Sequence, residues 1–191
     1  MRKLIAAMRL SVDGRSDGPD GYADWVDNWS EDYGLMARID TCLLGGRMYP
    51  GYEQYWTAIR QAPDQPLPMT GRLPHPAELV WSDFVERTPH YVLSTTLSSV
   101  TWPQTRLLRN VDQIRELKAQ SGKDIYLMGG ATLAGSLLDA GLVDEVHFIM
   151  HPLLAGPGRG PFDSLKRRHN LTLLNHRQIA ESRILFAYAV L

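Results

Sequence analysis

Cysteine is nearly missing from this chain: Cys42 stands alone among 191 residues. No intrachain disulfide can form, and no oxidising export route is implied. Long apolar runs are missing too. Leu4-Ile5-Ala6-Ala7-Met8 is cut off by Arg9, too short for a signal core or a membrane span. Basic and acidic residues nearly cancel, to a formal net charge of −1, so no global field draws the protein to nucleic acid or anionic membrane. The basic run Lys166-Arg167-Arg168-His169 reads as a solvated loop. Signatures of several large enzyme classes are absent as well. There is no Gly-x-Ser-x-Gly elbow for acyl transfer and no Gly-Lys-Ser/Thr loop for phosphoryl transfer. His147 and His151 lack the glutamate of a zinc helix between them, and in a strand they would stand roughly 13 Å apart. No metal is expected. Neither an internal repeat nor a low-complexity tract occurs. The exclusions leave a cytoplasmic protein of one domain over residues 1–191, with neither nucleic acid nor membrane as partner.

What is present alternates. Apolar strands are expected at 3–11, 41–44, 91–93, 105–109, 125–128 and 145–150. Helices are expected at 49–59, from Asn110 as cap to a stop at Gly122, and at 132–140. A further helix is expected from Ser30, with Glu31 and Asp32 in its first turn and Tyr33, Met36 and Ile39 turned inward. Pro63, Pro66, Pro68, Pro74 and Pro76 argue against regular structure until about Glu78, after which 79–81 reads as a short strand. Two closing strands, 171–174 and 183–190, have no helix between them. Strand–helix alternation predicts an α/β fold with a mainly parallel sheet, and the closing pair predicts an antiparallel edge.

Ligands of such sheets gather at the carboxyl ends of the strands. Those ends here carry Asp13-Gly14, Gly45-Gly46-Arg47, Ser94-Thr95 and Gly129-Gly130. A strand that stops on a glycine pair and runs into a helix lets backbone approach a phosphate closely, with the first helical amides aimed at it. Arg47 after its glycine turn has the fork of donors that pairs with a phosphate, and the Ser94 and Thr95 hydroxyls can bond a phosphate or a ribose. With Ala131 and Thr132, this set suits a phosphorylated dinucleotide. Each of these residues alone is also an ordinary turn residue. The loop 13–29 is long, and rich in aspartate, glycine and aromatic rings. Trp25, Trp29 and Tyr33, joined by Tyr52, with Tyr22 and Trp56 nearby, predict a slot for a flat heterocycle; the same rings can also staple a loop to a core. The loop 153–161, with three glycines and two prolines, reads as a flexible turn.

These segments resemble the dihydrofolate reductase-like superfamily, and more closely the branch of the C-terminal reductase domain of the riboflavin biosynthesis protein RibD. Ser11-Val12-Asp13-Gly14 resembles that branch's Ser-Leu-Asp-Gly element, and 43–49 the reductases' Gly-Arg strand end. Val92-Leu93-Ser94-Thr95 is similar to the adenosine-side element. The most specific likeness is in 127–133 followed by Gly141-Leu142-Val143-Asp144-Glu145. The resemblance implies a three-layer α/β fold that binds NADPH. Arg47, Ser94 and Thr95 would face the 2′-phosphate, beside Gly45, Gly46 and Met48. Met128, Gly129, Gly130, Ala131, Thr132 and Leu133 would cradle the pyrophosphate, with a Gly129-Gly130 peptide that is cis in folate reductases. Ala7, Asp13 and Gly14 would lie near the nicotinamide, under a flap formed by the loop after Gly14. The implied activity is hydride transfer to a flat heterocycle. The first choice is the 5-amino-6-(5-phosphoribosylamino)uracil reductase step; a dihydrofolate or pterin reductase and a non-catalytic NADP(H)-binding protein are the alternatives. Asp13, Asp32 or water would supply the proton. The relatives pair through their sheets, which implies a homodimer. Two departures stand out: the branch's Thr-x-x-x-Asp-x-Pro pattern is replaced by 49–53 here, and no deaminase domain precedes the reductase segment.

Overall fold

The computed structural model describes residues 1–30, 33–179 and 182–191. Its centre is β1 (Leu4–Ser11), buried along nearly its whole length. A strand apolar on both faces must be covered on both, and this one lies between two parallel neighbours, β5 (Asp124–Gly129) and β6 (Glu145–His151). Beyond β5 come β2 (Ile39–Gly45), β3 (His90–Leu93) and β4 (Thr105–Leu108), all parallel. Beyond β6 come β8 (Arg183–Val190) and then β7 (Leu171–Ile179), both paired antiparallel. The order is β4-β3-β2-β5-β1-β6-β8-β7. The link from β7 to β8 is too short for a crossover, so the chain can only return antiparallel.

Alternation along the central strands divides the core in two. Ile5, Ala7, Leu44 and Tyr126 face one cluster, and Leu4, Ala6, Leu43, Ile125 and Leu127 face the other. Helices α1 (Tyr49–Gln61) and α2 (Pro76–Arg87) cover the first side through Trp56, Ile59, Trp81 and Val85. Helices α3 (Asp112–Ala119) and α4 (Ala131–Asp139) cover the second through Ile114, Leu117 and Leu137. Each such buried Leu or Ile contributes about 1.5–3 kcal/mol. The result is a three-layer α/β fold with a mostly parallel sheet and an antiparallel C-terminal edge. No helix among the described residues is long and apolar enough to cross a membrane.

Two expected elements are different. Residues 79–81 are not a strand; they lie inside α2. Pro76 occupies the first turn, where its missing N–H costs nothing. His75 caps it: Nδ1 accepts from the Ala77 amide at 3.2 Å, and Glu78 Oε2 accepts from the His75 amide at 2.8 Å. Residues 33–38 form bends and a turn in place of the expected helix. Gly34 has φ +78°, and the Arg38 and Ile39 amides both close on the Leu35 carbonyl. Ile39 then pairs with Asp124 at the start of β2, so the sheet takes the residue that the helix would have used. Asn110 does act at the start of α3, its Oδ1 accepting from the Gln113 amide at 3.1 Å.

Candidate functional site

Because β1, β2, β3 and β5 run parallel, their carboxyl ends share one rim. β5 ends on Gly129, whose φ of +132° favours glycine, and the Gly129–Gly130 peptide is cis. A Cβ on Gly130 would meet nothing within 4 Å. Gly130 precedes α4 without a side-chain cap, so the first amides of that helix lack an intrahelical acceptor. Gly45 packs over this turn: a Cβ there would lie 3.6 Å from Leu133 and 3.7 Å from the Gly130 nitrogen. Gly46 packs the other way, and a Cβ there would come within 2.5 Å of the Ser94 Cβ. The two glycines thus let the end of β2 pack closely against the turn after β5 and against Ser94 after β3. Gly46→Ala is expected to cost about 1–3 kcal/mol by overpacking, read as a lowered melting temperature, and Ser94→Gly in the same chain should restore most of it. A single variant that melts like the wild type would refute the close approach.

Ser94 Oγ accepts from the Thr96 and Leu97 amides at 3.2 and 3.0 Å, and Arg109 Nη1 donates to the Ser94 and Leu97 carbonyls at 2.9 and 2.6 Å. This turn is therefore held by the protein's own groups. Thr95 is exposed on it. Arg47 is also exposed, and among the described residues it makes no hydrogen bond or ion pair.

A cavity of about 410 Å³ lies beside the Gly129–Gly130 turn. Its floor is β1 at Ala7, Met8 and Arg9, together with Tyr126 and Met128 of β5. Tyr52, Tyr55 and Trp56 of α1 make one wall with Met48, and Tyr22, Trp29 and Tyr33 make another. Gly129, Gly130 and Ala131 complete the lining at the start of α4. Of the residues expected from sequence, the cavity brings together Ala7, Met48, Met128, Gly129, Gly130, Ala131, Trp29, Tyr33 and Tyr52. Gly45, Gly46, Arg47, Ser94, Thr95 and Leu133 do not line it; Gly45 packs against Leu133 and the Gly130 nitrogen, and Gly46 against Ser94. Gly14, Trp25 and Thr132 do not line the cavity. Asp32 lies outside the described residues.

Asp13 needs correcting as a proton donor. It does not line the cavity, and its carboxylate accepts from Ser11 Oγ at 2.6 Å and from the Ala155 and Gly156 amides at 2.9 Å each. The Ser11 bond and then the two amides bring its pKa down to about 2, so the group is ionised near neutrality and braces a loop. That loop was expected to be a flexible turn. Instead it is bonded to the flap a second time: the Ser16 amide donates to the Arg159 carbonyl at 2.9 Å, and Arg159 pairs with Asp17.

Tyr52 contributes its ring. His90 Nδ1 lies 2.6 Å from the Thr88 carbonyl, which can only accept, so Nδ1 carries the hydrogen. Burial, against that one bond, lowers the His90 pKa to about 4, leaving a neutral ring. Its Nε2 must then accept, and the Tyr52 hydroxyl donates to it at 2.8 Å. That proton points into the core.

Sequence reasoning missed three groups. Arg9 is a buried cation at the cavity floor: it donates to the Ser30 carbonyl at 2.6 Å and sits 5.7 Å from the centroid of the Tyr33 ring. A charge inside an apolar strand was the available signal. Glu78 is wholly buried and accepts from Tyr55 Oη, both Arg72 nitrogens, and the Trp29 and His75 amides. It is the third residue of α2, and the capping pattern was legible. Tyr55, on the same apolar face of α1 as Tyr52, was readable from periodicity alone.

Over residues 2–185 the sequence matches the model of the RibD C-terminal domain. It is 29% identical to the uncharacterized protein YyaP of Bacillus subtilis (strain 168), over 98% of this chain and 94% of that protein. Among solved structures it is similar to a Shewanella sp. PV-4 protein named for riboflavin biosynthesis, with a TM-score of 0.70, 20% identity and 98% of each chain covered. It is also similar to the Thermotoga maritima diaminohydroxyphosphoribosylaminopyrimidine deaminase/5-amino-6-(5-phosphoribosylamino)uracil reductase, with a TM-score of 0.62 and 15% identity, over 100% of this chain and 57% of that one. The Enterococcus faecalis dihydrofolate reductase complexed with NADP(H) gives 0.60 and 14%, over 98% and 96%. The fold is dihydrofolate reductase-like, and the chain belongs to the RibD C-terminal domain family.

Proposed function

We propose that this chain is an NADPH-dependent reductase that passes hydride to a flat heterocycle. One observation carries the reading: the cis Gly129–Gly130 turn at the start of α4 closes one end of a cavity walled by aromatic rings, and Gly45 at the end of β2 packs against that turn. The residues fit such a cofactor. Arg47 and the Ser94–Thr95 turn would hold its 2′-phosphate, and Gly129, Gly130 and the first amides of α4 its pyrophosphate. NADPH supplies the hydride when bound. The chain's own part is to align donor and acceptor between the floor at Ala7 and the walls at Trp29 and Tyr52, and to keep water out. With Asp13 committed to its loop, Asp32 or water would deliver the proton.

The relatives' names point to two reactions, reduction of a phosphoribosylaminouracil and reduction of a folate, and a non-catalytic NADP(H)-binding protein is the third possibility. A homodimer and a cytoplasmic setting fit the same reading. The outer strand β7 is exposed along most of its length and carries Leu171, Leu173 and Leu174, an edge suited to a second copy. The test is a titration with NADPH. Trp29 and Trp56 line the cavity, so saturable quenching of tryptophan fluorescence is expected, followed by loss of nicotinamide absorbance with some member of a pterin, pyrimidine and quinone panel. Absence of quenching sinks the reading; quenching without turnover favours the binding protein.

A further inference from the structure

The chemistry of the cavity wall narrows the acceptor further. We infer that it is an uncharged planar ring system without a phosphate group, an inference that rests on the reductase reading above. Tyr22, Trp29, Trp56 and Tyr126 with the thioethers of Met8 and Met69 make up much of the wall. Such surfaces hold a flat ring by contact area and ring electrostatics. Their hydroxyl and indole N–H donors are uncharged, and a phosphate taken out of water needs several charge-assisted ones.

The charged groups at or behind the wall already have protein partners. Asp17 is paired with Arg159. Arg72, behind Tyr55, gives its fork to Glu78 at 2.8 and 2.9 Å. Arg9 donates to the Ser30 carbonyl and lies against the Tyr33 ring. The acceptor is thereby set apart from the phosphoribosylamino pyrimidine in the name of the Thermotoga enzyme.

Two matched probe pairs test this: riboflavin with flavin mononucleotide, and uridine with uridine 5′-monophosphate. Each is titrated into protein saturated with NADPH, the flavins followed by their fluorescence and the uridines by calorimetry. The expected result is that the neutral member of a pair binds at least as tightly as its phosphate. A preference of about tenfold or more for the phosphorylated member of either pair overturns the inference, and so does binding of neither member of either pair. NADPH saturation is measured first. Failure at that step overturns the reductase reading together with this inference, whereas saturation followed by phosphate preference overturns this inference alone.

Discussion

Alanine in place of Arg47 is expected to weaken NADPH binding by roughly ten- to a hundredfold while leaving NADH within about twofold. The two coenzymes differ only in the 2′-phosphate, so the difference isolates whatever meets that group. Arg47 is placed for it: exposed, without a partner among the described residues, and one position after the glycine that packs on Ser94. An arginine free of protein partners can give its whole fork to a phosphate. Arg47→Lys should recover only part of the loss, because a point charge cannot bond two oxygens in the same geometry. Dissociation constants for both coenzymes, from tryptophan quenching, decide the matter. Equal weakening of the two would remove Arg47 from the 2′-phosphate site.

Glu78→Ala is expected to cost about 3–5 kcal/mol, which for a chain of this size lowers the melting temperature by roughly 10 °C. The carboxylate is completely buried, and its removal strands Arg72, the Tyr55 hydroxyl and the amides of Trp29 and His75. Burial pushes the Glu78 pKa up, but the bonds from Arg72, Tyr55 and the two amides outweigh it and hold the group below the usual value of 4.5. A depressed carboxylate gives its stabilisation in full above the unfolded value and loses it as pH falls through the folded one. Urea melts of the wild type should therefore lose stability on acidification below about pH 4.5, and the alanine variant should lose less over the same span. Hydrogen exchange at the Trp29 amide should also speed up, since that bond ties the flap to α2. A loss under about 1 kcal/mol, or an acid limb unchanged by the substitution, would mean that Glu78 does not hold these segments together.

Much of the sheet was legible because its signal is local. Leu4-Ile5-Ala6-Ala7 and Cys42-Leu43-Leu44 are apolar at every position, as strands covered on both faces must be, and both form central strands. The strand-end glycines were legible for a similar reason, since a glycine between an apolar run and a helical stretch marks a close backbone approach. The start of α2 was misread, although its cap and its Pro76 lie within a few residues. The density of prolines before it hid a proline in the one helical position that tolerates it.

Other features cannot be found by looking along the chain. Residues 30–39 carry helical periodicity, yet Ile39 belongs to β2 because Asp124, far away in sequence, is there to pair with it. Asp13 has the composition of a catalytic acid, and the amides of Ala155 and Gly156 make it a brace. Glu78 gathers partners from the flap, α1 and the loop before α2, so its role exists only once those segments are packed.

By itself the sequence determined the alternation of elements, the two-sided burial of the central strands and the glycine turns at the strand ends, all properties fixed by neighbours within a few residues. Tertiary structure alone decided that Asp13 braces a loop, that Arg72 is committed to Glu78, and which rings wall the cavity. Those outcomes depend on which groups lose their water together, and distant segments settle that only when they meet.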